Sequence, residues 1–298
     1  MKLLVLGHLC VDGVHRGGKL VRERWGGIAN AVAALGALAG PADTIVPVCG
    51  VGAPEREGFL RWLGGFAAVD ASGVFALEGP TNRIDLYDRP GAPAVACAQS
   101  IAPPVPYERI RKHLAADGIL INMFSGADIT LETLDQIRME IRPRETPVHF
   151  DYHNLTTEVS AERERVRRPL EDWRRWAFML QSVQLNEEEA AGLTVDRLTE
   201  QQLTGHLLTL GTGGVLITRG ARGATLFVSE HKKIIRHEVP CTPVERAPGA
   251  QGAGDVFGAA FLHRYLATRD MALAAAFAVE TASAAAAGPD PGERHAPD

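Results

Sequence analysis

Cysteine is scarce in this chain of 298 residues: Cys10, Cys49, Cys97 and Cys241 are scattered, with no C-x-x-C pair. That spacing argues against a disulfide framework or a thiolate zinc site and fits a reducing compartment. A basic excess is also missing, since 31 Lys and Arg stand against 36 Asp and Glu for a net charge of −5. No global field is therefore available to hold nucleic acid or an anionic membrane surface. Long apolar runs are absent too. Met1 leads almost at once into Leu3-Leu4-Val5-Leu6, which stops at Gly7, too short for a signal-peptide core. No run reaches the roughly 20 residues that span a bilayer. Aromatic residues make up only 6%, so few rings are at hand to stack on a base. What remains is the composition of a soluble, cytoplasmic protein. At 46% hydrophobic it can bury one large core or two modest ones.

The stretch around which the chain is organised is 249–264, Gly-Ala-Gln-Gly-Ala-Gly-Asp-Val-Phe-Gly-Ala-Ala-Phe-Leu-His-Arg. Val256, Phe257, Ala260 and Phe261 recur at a spacing that keeps one helix face apolar. Glycines ahead of a helix leave backbone N–H groups uncovered, and the helix dipole favours negative charge there. Such a nest binds phosphate or stabilises charge growing on a phosphoryl group. Asp255 on its lip repels a phosphate, and it suits a base that takes a proton from an attacking hydroxyl. Taken alone, the stretch reads more readily as an ordinary tight turn with Asp255 as a helix N-cap.

Residues 2–6 read as a buried strand closed by Gly7, with Asp12 following at its end, and Arg16–Arg24 as a small hairpin turning at Gly17-Gly18. An alanine-rich helix runs from about Ala29 to Leu38, a strand from Thr44 to Val48, and a helix around Glu57–Phe66. Two extended runs, Arg83–Tyr87 and Ala94–Ala98, flank the turn Arg89-Pro90-Gly91. From Tyr107 the rhythm is βαβα. Strands are expected at 118–122, 148–151, 179–184 and 214–218, and helices at 131–141, 163–176 (broken at Pro169) and 199–208. The six arginines within Arg163–Arg175 read as a charge-laced helix face. A late antiparallel pair (226–228, 233–239), two alanine-rich helices and a loose polar tail at 289–298 finish the chain. Apolar strands alternating with helices indicate α/β architecture with a doubly wound, mainly parallel sheet. In such sheets ligands sit beyond the carboxyl ends of the strands, where Asp12, Asp151, Asn186 and Thr218 are expected.

Gly7 and Asp12, Gly26-Gly27 with Asn30, Gly50-Val51-Gly52, Asp151 with Asn154, Asn186-x-x-Glu189, Thr218–Gly223 and Gly252-Ala253-Gly254-Asp255 follow one another in this order. Taken together they resemble the PfkB carbohydrate kinases, also called ribokinase-like kinases. The resemblance covers nearly the whole chain. It implies one ribokinase-like domain over 1–298, its sheet flanked by helices, with a small β lid formed by about 13–25 and 80–99.

By that resemblance, Asp255 is the general base and Gly252, Ala253 and Gly254 form the anion hole. Asp12, Gly26, Gly27 and Asn30 bind the acceptor. Asn186, Thr218, Gly220, Gly223 and Gly254 bind the nucleotide, and Glu189 organises Mg²⁺ through water. Arg219 or Arg222 is a candidate phosphate contact. Gly249-Ala250-Gln251 stand where many members carry an acid, which argues against the monovalent-cation site built there. The short segment between Asp12 and Gly26 implies a small lid, with His15, Arg16, Asn82 and Arg83 as candidates to line the acceptor pocket.

The expected activity is a Mg²⁺-requiring transfer of the γ-phosphoryl of ATP to a hydroxyl of a sugar or sugar-like polyol, by a monomer or homodimer. A nucleoside is the main rival acceptor, with Trp25, Phe75 and Tyr87 as candidate stacking rings. The run Gly7–Asp12 also looks somewhat like inositol kinases of this family. From a different class, a non-catalytic sugar- or nucleotide-binding sensor would use the same fold.

Overall fold

The computed structural model describes residues 1–89, 92–242, 251–288 and 292. Pro90 and Gly91 of the expected turn, Gly249, Ala250 and most of the 289–298 tail lie outside them.

The chain enters as strand β1 (Lys2–Gly7) and continues through β2 (Leu9–Arg16) and β3 (Lys19–Gly27) into helix α1 (Ile28–Leu38). Gly17 and Gly18, at φ 55° and 78°, make the β2–β3 turn that side chains rarely adopt. There follow β4 (Thr44–Val51), α2 (Ala53–Leu63), β5 (Val74–Ala76), β6 (Asn82–Arg89), β7 (Ala92–Ser100) and α3 (Tyr107–Arg111). The next elements are β8 (Gly118–Asn122), α4 (Leu131–Ile141), β9 (Val148–Asp151), β10 (Thr157–Val159), β11 (Arg165–Arg167) and α5 (Trp173–Ala177). The C-terminal part runs β12 (Ser182–Asn186), α6 (Glu187–Gly192), α7 (Glu200–Thr209), β13 (Gly214–Thr218), β14 (Ala224–Glu230) and β15 (Lys233–Val239). It closes with α8 (Ala253–Thr268) and α9 (Met271–Ala287).

Nine strands form one sheet in the order β15-β14-β13-β12-β9-β8-β1-β4-β5, parallel except where β14 and β15 join antiparallel at one edge. Its central strands are apolar on both faces because helices cover both. Leu4 and Leu6 of β1 pack with Val46, Ile119 and Ile121 toward α4. The alternate residues Leu3 and Val5 pack with Ile45 and Leu120 toward α1 and α8. Each such fully buried aliphatic side chain is worth about 1.5–3 kcal/mol. Among the described residues, no helix is long and apolar enough to cross a membrane.

The segments expected to form the lid build a separate four-stranded sheet, β3-β2-β6-β7. It is larger than the sequence suggests, because β2 begins at Leu9 and the strands reach eight or nine residues. Asp12 therefore sits inside a lid strand, not at the end of β1. The other departure is 163–176, where the expected helix is confined to Trp173–Ala177. Thr157–Val159 and Arg165–Arg167 form a hairpin instead. Pro169 cannot donate into a continuing helix, and the hairpin gains an edge: Ala98 N–H on β7 donates to Arg163 C=O at 2.8 Å. This two-stranded hairpin is thus tied to β7. Helix α2 starts at Ala53, ahead of the expected Glu57, with Pro54 in its first turn.

Candidate active site

Helix α8 starts at Ala253 after Gly252, which takes the left-handed φ of 78°. The turn leaves the first N–H groups of α8 without intrahelical partners, and Asp255 sits in that first turn. Asp255 is 3% exposed. Asn30 Nδ2, from α1, donates to Oδ2 at 2.7 Å, and Asn122 Nδ2, from the end of β8, donates to Oδ1 at 2.7 Å. His153 Nε2 lies 3.7 Å from Oδ1. Residues up to 225 positions apart in sequence thus converge on one carboxylate.

Asp12 faces Arg24 across the β2–β3 pair, with Arg24 Nη1 donating to Asp12 Oδ2 at 3.2 Å and Nη2 donating to Asn30 Oδ1 at 2.5 Å. Burial pushes the Asp12 carboxyl up from its usual range, and the Arg24 charge opposes that push. Asp151, at the end of β9, is raised well above the usual range by burial and then by the negative charges of Glu189 and Asp255. Asn122 Nδ2 reaches Asp151 Oδ2 at 3.3 Å, linking the two acids.

One cleft of about 280 Å³ brings together Asp12, Asn30, Asn186, Glu189, Thr218 and Asp255. A second, of about 380 Å³, adjoins it across Asn186, Thr218, Gly252 and Gly254 and adds Gly220, Gly223 and Ala253. Gly26 and Gly27 line neither. A Cβ on Gly26 would run into the Asp12 carboxylate, and one on Gly27 into His8 C=O. These glycines let the lid strand pack on its own acid and carry the chain into α1. The other lid candidates lie elsewhere. Arg83 pairs with Glu23 at 2.7 Å and His15 with Asp85 at 3.4 Å. By strand alternation they occupy the face opposite Asp12. Asn82 is spent on Leu9 C=O and Ala102 N–H, and Arg16 lines neither cleft. The candidate stacking rings are also engaged elsewhere: Tyr87 on His15, Trp25 on Phe59, and Phe75 under Arg109. Arg219 is held by Glu187 at 2.7 Å and Glu200 at 2.6 Å, and Arg222 also pairs with Glu187.

Asn186 and Glu189 close a capping box at the start of α6. Glu189 Oε2 accepts from Asn186 N–H at 2.8 Å, Oε1 accepts from Asn186 Nδ2 at 2.7 Å, and Asn186 Oδ1 accepts from Glu189 N–H at 2.8 Å. Burial pushes the Glu189 carboxyl up, against the pull of His153 and of the Asn186 amide. Both Glu189 oxygens have partners, so this carboxylate fits a hydrated ion in an outer sphere. Among the described residues, no group of three or more His, Cys, Asp or Glu is arranged to hold a metal ion.

Arg24, Asn122, Phe124, His153 and Gln184 also belong to this site and were not anticipated. Asn122 ends β8 beside Asp151, so the rule that singled out Asp151 also reaches it, whereas Gln184 pairs with Asp151 two residues before β12 ends. Arg24 and His153 carry no such signal.

Residues 167–295 match the model of the pfkB family carbohydrate kinases. No curated relative matches the chain by sequence. Among solved structures, a pyrophosphate-dependent kinase in the ribokinase family superposes with TM-score 0.77 at 18% identity, covering 98% of this chain and 97% of that one. Ribokinase from Thermotoga maritima gives 0.70 at 20% identity over 95% and 91%. The nucleoside kinase of Burkholderia thailandensis, in complex with inosine, gives 0.73 at 17% over 98% and 93%. The fold is that of the ribokinase-like phosphotransferases. The resemblance read from the motifs is borne out: residues 167–295 carry the family's pattern, and the chain has the ribokinase-like fold.

Proposed function

We propose that the protein transfers the γ-phosphoryl group of ATP to a hydroxyl of a sugar or sugar-like polyol, with Asp255 as general base. The observation that carries this reading is the place of Asp255, buried at the N-terminus of α8 where the two clefts meet. Asp255 takes the hydroxyl proton as the acceptor oxygen bonds to the γ-phosphorus. The bond from phosphorus to the β–γ bridging oxygen breaks, and its electron pair leaves with ADP. The Gly252–Gly254 backbone amides stabilise the transferring group. Glu189 would hold Mg²⁺ through water, and the ion would neutralise the donor's phosphate charge.

The acceptor side supports a small polyol. Asp12 Oδ1, buried without a hydrogen-bond partner, offers an acceptor to a substrate hydroxyl, and about 280 Å³ is at the small end of ligand sites, roughly 300–1,000 Å³. Of the Phe, Tyr and Trp rings, Phe124 alone joins that cleft's described lining, which disfavours a nucleoside. The donor side supports a nucleotide, because Phe257, Val279, Ala282 and Ala286 give the larger cleft an apolar wall that inorganic pyrophosphate does not need. The same reading has the enzyme act in the cytoplasm as a monomer or homodimer, with neither nucleic acid nor membrane as partner.

The test is turnover with ATP or pyrophosphate as donor against a panel of sugars, cyclitols and nucleosides, beside Asp255→Asn. Turnover of a polyol with ATP, lost in the variant, supports the proposal. Ligand binding without turnover by the wild type would instead identify a sensor.

A further inference from the structure

His153 follows β9 in the turn after Asp151 and holds φ at 39°, a left-handed backbone conformation uncommon for residues other than glycine. Such strain persists where the surroundings over-determine it, and it gathers at functional sites. Here the surroundings are explicit. Asn154 N–H donates to Met123 C=O at 3.0 Å, and Leu155 N–H donates to Tyr152 C=O at 2.8 Å. The imidazole meets the Phe124 ring edge-on, with centroids 5.3 Å apart at 71°.

The ring's tautomer follows from its neighbours. Asn154 Nδ2 donates to Phe124 C=O at 2.7 Å, which fixes that end of the amide as the donor. The same Nδ2 lies 2.9 Å from His153 Nδ1, so Nδ1 accepts and the neutral ring carries its proton on Nε2. Nε2–H points into the cleft, 3.7 Å from Asp255 Oδ1. An acceptor oxygen giving its proton to Asp255 lies about 3 Å from that carboxylate, and the phosphorus it attacks is one bond further on. Other polar groups nearby are already committed: Gln184 Nε2 to Gly254 C=O at 3.0 Å, and Asn186 Nδ2 to Glu189 at 2.7 Å. Arg24, the cationic side chain in the cleft's described lining, faces Asp12 and Asn30 on the acceptor side.

We propose that His153 is a catalytic residue whose Nε2–H donates a hydrogen bond to an oxygen of the transferring phosphoryl group, across from the Gly252–Gly254 amides. The inference rests on the kinase reading of this site and adds a side-chain donor to its backbone nest. A donor aimed at developing charge acts mainly on kcat, and removing one costs about 10²–10³-fold.

His153→Gln keeps an N–H donor at a reach similar to Nε2, whereas His153→Leu keeps bulk and removes it. Both variants share the same backbone strain, so unfolding midpoints of the two should agree. With the acceptor and donor that the wild type turns over, His153→Leu should lose about 10²–10³-fold in kcat with acceptor KM within threefold. His153→Gln should stay within about tenfold of wild type. A His153→Leu enzyme that keeps its kcat, or a His153→Gln enzyme as impaired as His153→Leu, overturns the proposal. Calorimetric titration with inorganic phosphate judges it without turnover. Binding should weaken about tenfold or more in His153→Leu and persist in His153→Gln, and equal binding by wild type and His153→Leu overturns it. Absence of any turnover by the wild type would count against the kinase reading, while phosphate binding would still decide the role of His153.

Discussion

Asn30 Nδ2 lies 2.7 Å from Asp255 Oδ2 and joins the first turn of α1 to the first turn of α8. The family pattern assigns Asn30 to the acceptor, yet here its amide is divided between Asp255 and Arg24. On the proposed mechanism its effect on catalysis therefore runs through the orientation of Asp255. Asn30→Leu should lower kcat by about 10–10²-fold, and Asp255→Asn by about 10²–10⁴-fold, the usual worth of a placed base. In Asp255→Asn, one carboxylate oxygen becomes an amide facing an amide donor, which costs about 1–3 kcal/mol. Urea denaturation beside steady-state kinetics separates the two effects.

Arg24 is 1% exposed, and its guanidinium bridges Asp12 and Asn30. Removing one member of a buried ion pair strands the other's charge, at a cost of about 3–5 kcal/mol. Arg24→Met should therefore destabilise the fold by about that amount. The double variant Asp12→Asn/Arg24→Met should be destabilised less, because no unpaired charge remains. Additive losses in a denaturant-based double-mutant cycle would contradict this coupling.

The carboxyl group of Asp151 is raised well above its usual range, chiefly by burial. A carboxyl whose folded pKa lies above its unfolded value, near 3.9, favours the fold at low pH. That contribution is lost as pH rises through the folded pKa, because ionising the buried group then opposes folding. Asp151→Asn removes this dependence. The variant's stability relative to wild type should grow as pH is raised from about 4 toward neutrality, and a difference independent of pH would refute the assignment. Thermal unfolding at a series of pH values measures it.

Much of this architecture was legible in the sequence, for identifiable reasons. Strands such as 118–122 and 148–151 are short apolar runs between helical patterns, and buried parallel strands leave that trace. The Gly252–Asp255 turn was legible because a left-handed φ at Gly252 and an acid in a helix's first turn both restrict residue choice. The hairpin at 157–167 was not. Its arginines carry no period-2 apolar signal, and its stability comes from pairing with β7, about 65 positions away. His153 and Arg24 were missed because their roles arise from neighbours distant in sequence, Asp255 and Asp12 among them, which local spacing cannot reveal. The strand-end rule misplaced Asp12, since β1 stops at Gly7 and β2 carries the acid into the lid.

The wall formed by Phe257, Val279, Ala282 and Ala286 beside the Gly252–Gly254 turn distinguishes the two donors weighed in the proposal, ATP and pyrophosphate. An adenine ring would use that wall, whereas pyrophosphate would end at the Gly252–Gly254 amides. Ala282 is half-buried on α9 and borders the larger cleft without touching Asp255 in the smaller one. Ala282→Phe should fill the base's place while leaving the transfer machinery intact. The KM for ATP should rise by about 10–100-fold, which corresponds to about 1.4–2.7 kcal/mol of lost binding. kcat at saturating ATP and KM for the acceptor should stay within about threefold of wild type, as expected when ground state and transition state lose the same contact. If instead the variant's KM for ATP were unchanged, the apolar wall would not be the seat of the base, and a donor confined to the nest would be favoured. Initial rates over a matrix of donor and acceptor concentrations decide between these outcomes.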